Sequence, residues 1–234
     1  MLWAFSHHIR DIGNAMLGQN AQFEAQPGFA GQVATYGSDT APYVRLIAED
    51  FSLLSGADIA DISHFLCVLH GRHPGVIDHA ATKTADDAAR EWLVKATDGF
   101  AAERAFLTKL TVAAGPITGV SMDDQSNAAV LGQRKALEML SQSDRSGCAI
   151  GAAIALVADW HFVRNILERI ALRVGVEARA SILPAIDETA ELNSQLAATP
   201  ALERALNFGR EQLLNQHRGL WQLLEARRNT RLSR

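Results

Sequence analysis

The side chains best placed to do chemistry in this sequence are polar ones standing where apolar ones belong. Unrolled at about 100° per residue, a helix over 85–113 gathers Trp92, Ala96, Gly99, Phe100, Phe106, Leu107 and Leu110 into one arc, with Glu103 near its centre. The same projection over 147–174 groups Ala152, Leu156, Val163, Ile166, Leu167 and Ile170 around Asp159. It leaves His161, Arg164 and Glu168 on the opposite, solvent side. Over 41–54, Asp50 falls among Tyr43, Leu46, Ile47, Phe51, Leu53 and Leu54. Over 200–228, His217 lies in the stripe Leu202, Leu206, Leu213, Leu220, Trp221 and Leu224, with Arg210 at its edge. Gln133 sits among Ala129, Ala136, Leu137 and Leu140 of a helix over 125–142.

A buried carboxylate is prohibitively costly unless it is protonated, paired or metal-bound. The six residues Asp50, Glu103, Gln133, Asp159, Arg210 and His217 therefore admit two readings. In the first, the carboxylates and the imidazole converge on a small ligand or a metal, with or without catalysis. In the second, Arg210 and His217 answer Asp50, Glu103 and Asp159, Gln133 bridges, and the cluster is a structural ion network in an interaction or regulatory protein.

A second constellation is His64, Cys67, His70, His73 and His79 around Pro74-Gly75. His70, His73 and His79 are the candidate zinc ligands if the turn folds back. The plainer alternative is that His70 and His73 sit at a helix C-terminus, where imidazolium interacts favourably with the dipole. A carboxylate-bridged di-iron centre needs Glu-x-x-His on two helices. The sequence has none, and its nearest analogue, Asp61-x-x-His64, falls off the stripe Ile59, Ile62, Phe65, Leu66 and Leu69. No Gly-x-Ser-x-Gly, Gly-x-Gly-x-x-Gly or Walker loop is present, so nothing marks a serine nucleophile or a nucleotide cofactor.

The elements that position these residues read as helices throughout. Ala occurs 39 times, Pro only 6, and 3.6-residue spacing recurs. Helices are expected over 2–17, 41–54, 58–70, 85–113, 125–142, 147–174, 184–197 and 200–228, with loops over 18–40 and 114–124. The fold class is all-α: a single-domain antiparallel bundle (1–228) of seven to eight helices around the central apolar helix 147–174. Residues 229–234 are expected to be a solvated basic tail, because Arg227, Arg228, Arg231 and Arg234 crowd the end of the sequence.

Composition bounds the rest. The 234 residues are 48% apolar with a net charge of -4, enough for a core and too acidic for a general DNA-coating protein. Cys67 and Cys148 are too few for a disulfide scaffold. The longest uncharged apolar stretch, 146–158, is 13 residues, short of the roughly 20 that span a bilayer. Without a secretory signal pattern at 1–13, a cytoplasmic protein that does not enter the membrane is expected. A homodimer is the expected assembly, with Phe5, Ile9, Ile12 and Met16 as a contact and His7-His8 at the surface or in that contact.

The stretch from Gln133 to Trp160, running through Ser146-Gly147-Cys148 and closing on Asp159-Trp160, resembles an uncharacterised family of bacterial all-α proteins. That resemblance implies a helix–turn–helix here and brings no activity. In helix count and size the chain is also similar to haem-oxygenase-like and thiaminase-like bundles. It lacks their proximal-histidine and catalytic-cysteine motifs, so no site carries over.

Overall fold

The computed structural model describes residues 28–117 and 123–233. In chain order these form α1 (Phe29–Tyr36), α2 (Pro42–Glu49), α3 (Gly56–His70), α4 (Val76–Lys83), α5 (Asp87–Ala114), α6 (Asp123–Ser141), α7 (Cys148–Val174), α8 (Ile186–Leu196) and α9 (Pro200–Leu232). Two short 3₁₀ turns, Ser38–Thr40 and Phe51–Leu53, flank α2. Among the described residues there are nine helices and no strand, an all-α bundle as the spacing predicts. The expected 2–17 helix, with its proposed dimer contact and His7-His8, lies outside the described residues.

The extra helices come from segments with weak periodicity. Helix α1 occupies part of the expected loop 18–40, and α4 fills a stretch left unassigned between 70 and 85. Asp78 helps start α4 by accepting from the Gly75 N–H at 2.7 Å. Helix α3 begins with a reciprocal cap in which Ser55 and Asp58 satisfy each other's backbone N–H groups. Gly175, with φ of 72°, closes α7 in the left-handed conformation that glycine adopts without strain.

Helix α7 is the centre. Its residues from Cys148 to Trp160 are all buried, because α4, α5, α6, α8 and α9 all pack on it. By length and composition α7 could cross a membrane, but 83% of its most apolar window is packed inside the protein.

The closest packing is between α7 and α9, and two glycines allow it. A Cβ added at Gly151 would lie 2.4 Å from the Leu206 carbonyl oxygen, and one at Gly209 only 2.2 Å from that of Cys148. Contact then moves from this crossing to Asp159 and His217, so the two helices run parallel. The connection through α8 returns the chain and makes that direction available. Each site residue stands eight positions beyond its glycine, about 12 Å along the axis at 1.5 Å per residue.

Helix α9 does not fray where a tail is expected. It runs to Leu232, and Arg227 and Arg231 reach Asp61 and Asp58 on α3. The basic residues at 227–231 are thus partly drawn into the fold by two buried carboxylates.

Candidate functional site

Asp159 is fully buried on α7, and three donors surround its carboxylate. The Ser38 N–H donates to Oδ1 at 2.6 Å, and the Ser38 hydroxyl donates to Oδ2 at 2.5 Å. His217 Nδ1 lies 2.5 Å from the same Oδ2. Trp221 Nε1–H donates to the Ser38 oxygen at 2.8 Å, which turns the hydroxyl hydrogen toward Asp159. On the far side of the His217 ring, Nε2 is 2.7 Å from Nε2 of His70. Two ring nitrogens at that distance share one hydrogen, since two lone pairs or two N–H groups would repel.

The result is a continuous polar chain, Ser38–Asp159–His217–His70, drawn from four parts of the fold. His70 is the last residue of α3 and is 5% exposed. Its ring meets the edges or faces of Trp160 and Phe100 at centroid distances of 5.5 and 6.1 Å. Burial first, and then the neighbouring His217, push the His70 imidazole well below its ordinary 6.5, so it stays neutral.

His70 also forms part of the wall of a cleft between the α3–α4 turn, α5 and α6, shared with Arg72, His79, Phe100, Arg134 and Glu138. The free volume is about 40 Å³, room for a few water molecules or a compact head group. Larger depressions, of about 460, 370 and 310 Å³, lie elsewhere on the surface. None of those three has a histidine in its wall; the one of about 370 Å³ includes Trp221, at the Ser38 end of the polar chain, and the smaller cleft is the one that reaches its His70 end.

The other residues singled out from the sequence go elsewhere. Glu103 is 1% exposed but pairs with Arg164, whose Nη1 lies 2.6 Å from both carboxylate oxygens. Trp160 Nε1–H and the Ser181 hydroxyl complete its shell at 3.1 and 2.8 Å. Arg164 was expected on the solvent side. Its long stem instead lets the guanidinium turn inward, over the Phe106 ring at 4.2 Å.

Arg210 answers no carboxylate. It is 2% exposed and donates to the side-chain oxygens of Gln32, at 2.7 Å, and of Asn193 and Asn207. Burial without an acidic hydrogen-bond partner lowers this guanidinium to about 10. Gln133 is no bridge between carboxylates: its Nε2 donates to the Gln216 carbonyl at 3.2 Å, and its Oε1 is buried without a partner.

Asp50 is exposed. The chain leaves the helix at φ -137°, and Asp50 caps the following 3₁₀ turn by accepting from the Ser52 N–H and hydroxyl. The hydrogen bonds from Ser52 hold its carboxyl below the ordinary range. The three histidines do not form a zinc site. His73 has a 69% exposed side chain beside Asp78, while His70 turns inward to His217. Among the described residues no group of His, Cys, Asp and Glu is arranged to hold a metal ion.

Sequence reasoning thus found Asp159 and His217 and missed Ser38, Arg164 and the role of His70. Ser38 lies in a segment without periodicity, where nothing marks it. The residue type of His70 suggests capping or zinc, and its inward role is not readable because a helix-terminal residue has no assignable face.

The profile of a family of unknown function, DUF6975, matches residues 33–232. The chain belongs to DUF6975. No curated protein and no solved structure matches it. The matched span takes in every member of the polar chain of this DUF6975 protein, from Ser38 to His217, together with the cleft residues named above.

Proposed function

We propose that this DUF6975 protein binds a small polar ligand in the cleft and exchanges a proton with it through His70. The observation that carries this reading is that His70 belongs to two structures at once, the cleft wall and the end of the buried Asp159–His217 chain. A histidine needed only for packing has no reason to occupy both.

The hydrogen bonds favour one proton path. The Asp159 carboxylate fixes a hydrogen on His217 Nδ1, which leaves His217 Nε2 to accept from His70 Nε2–H. His70 Nδ1 then carries a lone pair for the ligand. When Nδ1 takes a proton, the hydrogen on Nε2 passes to His217, and the positive charge comes to rest beside the Asp159 carboxylate. His70 returns to neutrality as the other tautomer, which suits a ring whose burial opposes charge.

The competing reading makes the whole chain a packing device. It is favoured by the complete satisfaction of Asp159 and by the burial of Ser38, Asp159 and His217 to 2% exposure or less. Side-chain nitrogen NMR of the histidine-labelled protein between pH 5 and 8 separates the two. The proposal expects the proton to appear on His217 while His70 remains neutral and exchanges tautomers, and Asp159→Asn to abolish this behaviour. A charged His70 beside a neutral His217, or a single pH-independent tautomer at both rings, would sink it.

A further inference from the structure

The same cleft has a charge pattern that the proton chain does not use. Arg72, on the turn after α3, and Arg134, on α6, both contribute to its wall, and neither side chain forms an ion pair or a hydrogen bond with another described residue. Arg134 and Glu138 are four residues apart on one helix, a spacing that ordinarily permits pairing, yet they remain apart. By contrast, the nearby Arg104 is already committed to Asp78 at 3.0 Å. Two arginines with uncommitted guanidinium groups therefore line a space whose wall includes a neutral imidazole.

We infer that the ligand is a compact anion, a small carboxylate or phosphate, held by Arg72 and Arg134 beside His70. This rests on the cleft reading above and narrows it to a substrate class. Guanidinium groups match both oxyanions through paired N–H donors, and an unpaired one gives up no existing partner on binding. The free volume of about 40 Å³ limits the buried part to a head group, so a nucleotide or a large cofactor does not fit inside.

The test titrates the folded protein with acetate, orthophosphate and acetamide, following the side-chain nitrogen signals of the histidines and arginines. Acetamide is the uncharged counterpart of acetate and reports shape alone. Binding of acetate or orthophosphate, with acetamide at least about tenfold weaker, supports the inference, and the tighter of the two names the head group. Arg72→Gln with Arg134→Gln should weaken that anion about tenfold or more without lowering the melting temperature, since neither side chain holds the fold together.

Equal binding of acetamide, an unchanged anion affinity in the double variant, or no binding by either anion would overturn it. Its failure is distinguishable from failure of the proton-exchange reading. Anion binding that persists in His70→Gln with no tautomer change in the native protein keeps this inference and removes that reading. A tautomer exchange that survives the loss of both arginines, with no anion bound, does the reverse.

Discussion

Replacing Arg164 by alanine would leave the Glu103 carboxylate buried at 1% exposure with only Trp160 and Ser181 as donors. A buried charge stripped of its partner typically costs ~3–5 kcal/mol, so the urea midpoint should fall by that equivalent. Arg210→Met should cost less, about 1–3 kcal/mol, because it orphans amide oxygens of Gln32, Asn193 and Asn207 instead of a carboxylate. An Arg210→Met loss as large as that of Arg164→Ala would mean that a carboxylate depends on Arg210 after all. These two arginines also show where sequence reading reaches its limit. Projection onto a helix places Cα and Cβ, which is enough for Asp159 and His217 with their short side chains. An arginine has a long flexible stem, so Arg164 turned inward from the side opposite its stripe, and Arg210 at the edge of its stripe found amides instead of acids.

Among the elements, the parallel contact of α7 and α9 governs the site. Gly209→Ala would drive a methyl group into the Cys148 carbonyl, and either the helices separate or the backbone shifts. The expected cost is about 1–3 kcal/mol by denaturation. It should come with loss of the slowly exchanging His217 Nδ1 hydrogen in NMR spectra, because the 2.5 Å contact to Asp159 is set by that crossing. Retention of the signal would mean that the histidine pair is positioned independently of the glycine contact. The clamp between α9 and α3 predicts a graded pair of effects. Arg231→Ala should cost about 1 kcal/mol, since Asp58 keeps its two hydrogen bonds from Ser55 and Arg227 still holds Asp61. Arg227→Ala with Arg231→Ala should cost several times more, by leaving Asp61 buried and unpaired. The long helices were legible from the 3.6-residue pattern, including the central place of 147–174. Helices α1 and α4 were not, since at eight residues each they offer barely two turns of periodicity. The end of α9 was misread because charge alone suggested solvent, and a carboxylate waiting on another helix leaves no mark in the local sequence.

For the molecule as a whole, the neutral His70 makes stability depend on pH in a defined direction. Its folded pKa lies below the unfolded value of 6.5, so below that pH the unfolded chain binds a proton that this ring refuses. Stability should therefore fall as pH drops below about 6.5, by at most about 1.4 kcal/mol per pH unit from this group, until the folded ring is protonated. His217 and Asp159 on the adjoining helices and His79 across the cleft also face it, so the contribution is read as the difference from His70→Gln. Identical pH dependence in the two proteins would refute it. The partners in the polar chain are far apart along the sequence, 147 positions between His70 and His217 and 183 between Ser38 and Trp221. At a synthesis rate of 5–20 residues per second, roughly 7–30 s pass between the making of His70 and of His217. Throughout that interval a nascent α3 has neither the partner of its terminal histidine nor the arginines for Asp58 and Asp61. The apolar face of α3 meets α5 and α6, which are made well before α9, so in the nascent chain the polar ends of α3 wait longest for their partners.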